Sequence, residues 1–137
     1  MSTIIETILN VGQKLFGLRN ELAKAHQTRK QLVSEYLASI AQSVEEVSAS
    51  LKQKIYPHGK CQEILTYSQK MEEAIGDLIG QVEAKSLGKQ LGEVYEVERL
   101  YGELESDTEE NKLGKLYLLD QAAGLFRATA AFVRVSP

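Results

Sequence analysis

The chain has 137 residues, 43% of them apolar and 26% charged, and a net charge of −3. That balance excludes wholesale disorder and a strongly basic nucleic-acid track, and the length fits one domain, 1–137, whose helical core needs no metal or disulfide. Cys61 is alone, so it forms no internal disulfide. No apolar run approaches the roughly 18 residues of a spanning helix, so a cytoplasmic protein without membrane insertion is expected.

The opening Met1-Ser2-Thr3-Ile4-Ile5-Glu6 lacks the basic start and small-residue cleavage site of a signal peptide. Thr3 and Glu6 have the spacing of a capping box, which predicts a helix from Thr3. Ile4, Ile8, Val11, Leu15, Leu18 and Leu22 then mark one apolar stripe to about Ala25. The next stripe, Val33, Leu37, Ile40, Val44, Val47 and Leu51, starts one residue out of phase. A turn in His26–Gln31 is therefore favoured over one continuous helix with a stutter.

The second helix is expected over about Thr28 to Ile55, stopping at Tyr56-Pro57-His58-Gly59, because proline restricts the residue before it and cannot continue the ladder. A third, about Lys60 to Ala84, carries Ile64, Ser68, Met71, Ile75, Leu78 and Val82. A fourth, about Leu87 to Glu105, carries Leu87, Leu91, Val94, Val97, Tyr101 and Leu104. Only the modest break Lys85-Ser86-Leu87-Gly88 lies between them, so they are separate helices or one kinked rod. The acidic loop Glu105–Asn111 leads into a fifth helix, capped by Thr108 or Asp107, with Leu113, Leu116, Leu119, Ala123, Phe126, Ala130 and Val133 on its apolar side. The fold class is all-α: an up-down bundle of four or five antiparallel amphipathic helices.

Residues 60–111 hold five cations against thirteen acids, a net of −8, whereas the flanking segments are basic. This acidic segment is a solvated surface or a face for a basic partner. Nine of the ten glycines fall in helical segments, where each costs about 1 kcal/mol relative to alanine. Gly76/Gly80 and Gly88/Gly92 are four apart, so each pair opens one helix face to a close neighbour; Ala122-Ala123-Gly124 and Ala128–Ala131 do the same in the last helix. Such faces serve core packing, a protein interface, or deliberately labile helices. Tyrosine suits half-buried positions with one wet end. The candidate interaction residues are therefore Gly76, Gly80, Gly88, Gly92, Tyr95 and Tyr101.

Chemistry has little support. His58 and Cys61 are three apart, and Glu63 is near, but zinc needs about four ligands and the other histidine is His26. No nucleophile elbow, phosphate loop or converging carboxylate pair is present: Glu72-Glu73 and Glu109-Glu110 point to different helix faces. Asp120 is expected partly buried and paired with a Lys, Arg or Tyr. No catalytic, metal or cofactor residue is assigned, and His26-Arg29-Lys30 is too small a cluster for nucleic acid.

The strings Tyr56-Pro57-His58-Gly59-Lys60-Cys61, Ile75-Gly76-Asp77-Leu78-Ile79-Gly80 and Leu119-Asp120-Gln121-Ala122-Ala123-Gly124-Leu125-Phe126 are similar to those of an uncharacterised helical family in cyanobacteria. That resemblance implies a source and no activity. The helical order is more distantly similar to HeLo-like bundles, in which rearrangement and self-association of the bundle damage membranes. The expected function is a non-enzymatic protein-interaction or oligomerisation module, with a protein partner or a second copy as in a homodimer. The alternative is a signalling or membrane-active effector whose bundle rearranges on activation.

Overall fold

The computed structural model describes residues 3–137, the side chains of Tyr95, Val97 and Glu98 excepted. The described residues form helices and no strand: α1 (Ile4–Gly17), α2 (Arg19–Leu22), α3 (Gln27–Lys52), α4 (His58–Gln69), α5 (Met71–Ile79), α6 (Gln81–Leu91), a 3-10 turn (Gly92–Tyr95), α7 (Val97–Glu105) and α8 (Glu109–Val135). The all-α class read from the periodicity holds.

Helix ends follow local chemistry. The Thr3 side chain accepts from the Glu6 N–H at 3.0 Å and starts α1. Thr108 accepts from the Asn111 N–H at 3.2 Å and starts α8. Each satisfies a backbone donor that the first turn leaves unpaired. The break after α2 falls at residues 23–26, and His26 is the extended cap of α3, so a turn does separate the out-of-phase stripes, but it precedes the expected His26–Gln31, of which all but His26 belong to α3. α3 ends at Lys52, three residues short of the expected Ile55. The Lys54 N–H donates to Leu51 O and the Ile55 N–H to Ser50 O, with Lys54 at φ 60°. That is a Schellman motif with lysine where glycine is usual.

The segment expected as one helix from Lys60 to Ala84 is instead α4, α5 and the start of α6. Gly80 at φ 99° and ψ 137° is the single residue between α5 and α6, a backbone state that glycine reaches without steric penalty. Lys85-Ser86-Leu87-Gly88 lies inside α6, so the actual break precedes the expected one by several residues. The turn at Gly80 also resets the helical phase. Val82, expected on an apolar stripe with Ile75, is 86% exposed.

Cross-helix contacts fix the directions. Ser34 bonds Ala130 O, Glu45 pairs with Arg127, and Ser48 bonds Asp120, so α3 and α8 run antiparallel. Gly12 lies against Ala122, Leu125 and Phe126, and the Arg19 guanidinium sits 5.5 Å from the Phe132 ring, so α1 and α2 advance with α8. Lys60 pairs with Glu46 and Tyr36 bonds Tyr67 O, so α4 opposes α3. Gly88 meets Ser68 and Met71, and Gly92 meets Leu65, so α6 opposes α4. α8 lies between α1 and α3, while α6 closes the other side against α1 and α4. One contiguous core results, with Phe126, Ile4, Ile8, Leu37, Ile40 and Met71 fully buried in it.

Candidate interaction surface

Gly76, Gly88 and Gly92 meet parts of their own chain. A Cβ on Gly88 would lie 2.7 Å from Ser68 O and 3.3 Å from Met71 Cβ; one on Gly92 would lie 3.1 Å from Ser68 Oγ. The small residues therefore let α6 approach the last turn of α4, and Gly88 and Gly92 also line the shallow groove between the two helices. Gly76 lies under the Gln81 side chain, and Gly80 is the turn described above. The Tyr101 ring is half-buried, with its centroid 5.4 Å from that of Tyr56. The Tyr95 side chain lies outside the described residues.

His58 and Cys61 at the start of α4 do not share a site. His58 is exposed and stacks on Tyr56, whereas Cys61 is fully buried in the core. Burial pushes the Cys61 thiol up to about 12, so at neutral pH it is a packing group without nucleophilic character. Among the described residues, no group of three or more His, Cys, Asp or Glu side chains is placed to hold a metal. The small basic cluster is spent inside the fold. Arg29 forks onto Asp77 and donates to Ala74 O at 2.8 Å; Lys30 is buried and donates to Ser136 O at 3.0 Å and Pro137 O at 2.7 Å. The Arg29 guanidinium holds the Asp77 carboxyl below its usual range. Asp120 finds the expected lysine and is nearly half exposed: Lys52 lies at 2.7 Å and the Ser48 hydroxyl at 2.6 Å. Burial works to raise its pKa, yet the Lys52 and Ser48 hydrogen bonds outweigh it and leave the carboxyl below its ordinary value.

The surface that the internal packing leaves unexplained is the outward face of α8. Leu116, Leu119, Ala122, Ala123, Phe126, Ala130 and Val133 take the buried side. At 3.6 residues per turn, Leu113, Tyr117, Ala131 and Val135 fall within about 20° of Gly124, on the side turned away from that core. Leu113 is 64% exposed, Tyr117 69% and Val135 75%, so three of the seven large exposed hydrophobics among the described residues lie on this one line. A Cβ on Gly124 or Gly114 would meet nothing within 4 Å, so these glycines have no packing reason inside the chain. Leu113 was expected on the apolar inner side. The stripe that begins at Leu116 turns away from it, because residues 113 and 116 lie about 60° apart on a helix wheel.

Gly124, Ala128 and Ala131 were the small-residue signals for this face, Thr129 and Ala130 between them being buried, and steps of seven and then four residues from Gly124 through Tyr117 to Leu113 would have located it. No protein-family model, no curated protein and no solved structure matches this chain.

Proposed function

We propose that this chain is a non-enzymatic interaction module whose business is to dock a helix of a protein partner or of a second copy. The observation that carries the reading is the outward line of α8, where large apolar side chains and unpacked glycine face solvent together. Scattered exposed apolar residues are ordinary, but an aligned row flanked by polar positions is what a helix-docking face needs. The pairwise directions support an up-down bundle of five rods, in chain order α1–α2, α3, α4–α5, α6 and α8, with α8 inserted between the first two. Glu72, Glu73, Glu93, Glu96, Glu105 and Glu110 are exposed, which favours basic over acidic partners along that acidic segment.

Absolute mass by light scattering across a concentration series tests the reading. Mass rising from 15.2 kDa toward twice that value supports docking of a second copy. A mass fixed at the monomer, together with no shift on adding basic amphipathic helical peptides, contradicts it.

A further inference from the structure

We infer that the occupant of the outward face of α8 is the same helix of a second copy, antiparallel, with the two-fold axis passing at Gly124. The inference rests on the interaction-module reading and narrows it to one partner and one register.

In an antiparallel pair centred on Gly124, residue numbers facing each other share a constant sum. Leu113 then faces Val135, Tyr117 faces Ala131, and Gly124 faces itself. Large side chains meet small or branched ones at both ends, and Gly124 adds no side chain on the axis itself, with Asp120 opposite the small Ala128 one turn away. The row from Leu113 to Val135 spans about 33 Å at 1.5 Å per residue, so the match extends over six turns.

Charge selects the antiparallel arrangement. Asp120 and Arg127 both lie on the α3 side of the row, where they pair with Lys52 and Glu45. A two-fold axis perpendicular to the helices keeps each copy's α3 side next to the other's. Asp120 of one copy then lies within about 1.5 Å of axial height of Arg127 of the other. The two intramolecular pairs join into a row of alternating sign, Lys52, Asp120, Arg127, Glu45, repeated once by symmetry. A parallel pair would put the two α3 sides on opposite flanks and form no such row. At the roughly 12 Å width of a helix, the row offers about 400 Å² per copy, well below the ~1,200 Å² total of stable dimers. The association is therefore weak and concentration-dependent.

Cysteine crosslinking in the full chain tests both face and register. Gly124→Cys places a thiol on the axis in open space, where it fits without disturbing the fold, and buried Cys61 stays inert. Under mild oxidation Gly124→Cys is expected to form a disulfide dimer at least ten-fold faster than Lys89→Cys, an exposed control on α6. A mixture of Leu113→Cys and Val135→Cys chains is expected to crosslink, and neither chain alone. Gly124→Glu is expected to weaken the association measured by light scattering at least ten-fold. Self-association that survives Gly124→Glu, with Gly124→Cys no faster than the control, overturns the α8 interface and leaves the interaction-module reading standing. Leu113→Cys crosslinking to itself overturns the antiparallel register. A monomeric wild-type chain at millimolar concentration overturns the inference and leaves only a different protein as partner.

Discussion

Alanine substituted for glycine changes sign between two helices of this bundle, and Gly88 shows why. A Cβ at Gly88 meets Ser68 O at 2.7 Å and Met71 Cβ at 3.3 Å. Ordinary contact begins near 3.4 Å, so α4 must recede by about 0.7 Å, and the obstacle is backbone within a helix and not the free end of a side chain. Helix propensity gains about 1 kcal/mol from the exchange. Overpacking of a tight site costs about 1–3 kcal/mol and more where backbone must move. With the rigid α4 carbonyl as the neighbour, the upper part of that range applies and Gly88→Ala destabilises by about 1–2 kcal/mol. Gly114→Ala, where the new methyl meets nothing within 4 Å, keeps the whole propensity gain and stabilises by up to about 1 kcal/mol. Urea unfolding followed by far-UV circular dichroism separates the two, with midpoints moving in opposite directions by about 0.5–1 M for an m-value of roughly 2 kcal/mol/M. If Gly88→Ala is as stable as Gly114→Ala, the close α4–α6 approach is refuted.

Three further outcomes are expected. Lys54→Gly relieves the left-handed backbone at the end of α3 and raises stability by about 1 kcal/mol in the same urea assay; an unchanged midpoint would contradict the Schellman end. Asp120→Asn lowers stability by about 0.5 kcal/mol at pH 7, a small value because Lys52 and Asp120 are both nearly half exposed. The folded-state pKa of Asp120 is depressed, so its contribution is present above the unfolded value and is lost as pH falls through the folded one. The gap between parent and variant should therefore shrink as pH falls below about 4, and a gap that does not shrink in acid would show that the ion pair is not its source. Cys61, buried and with its thiol pushed up to about 12, should stay unreactive toward Ellman's reagent at pH 8 until the chain unfolds. Stoichiometric labelling of the native protein would place it outside the core.

Periodicity carried the fold class because each long helix needs one buried line. Val33, Leu37, Ile40, Val44, Val47 and Leu51 are all buried in α3 as their spacing requires. The middle of the chain was less legible. A single glycine at positive φ ends α5 and starts α6 without any polar interruption, so Ile75, Leu78 and Val82 read as continuous although Gly80 turns Val82 to solvent. The Lys54 motif was hidden for a similar reason: three- and four-residue spacing reports side-chain faces, and a helix end set by backbone hydrogen bonds leaves no mark on it. Small residues signalled close approach but not what approached. Gly88 and Gly124 look alike in sequence, yet one touches Ser68 and the other touches nothing. Which neighbour a glycine faces depends on how helices far apart in the chain are stacked, and that is a tertiary property.

Backbone amide shifts of uniformly labelled protein, followed by NMR across a micromolar-to-millimolar dilution series, test most directly whether α8 docks a second copy on its outward face. The expected result is concentration-dependent shifts confined to Leu113, Tyr117, Gly124, Ala131, Val135 and their neighbours, with Gly88 and Gly92 unmoved. Shifts that spare α8 and map to the α4–α6 groove, or that are absent throughout the series, would contradict it.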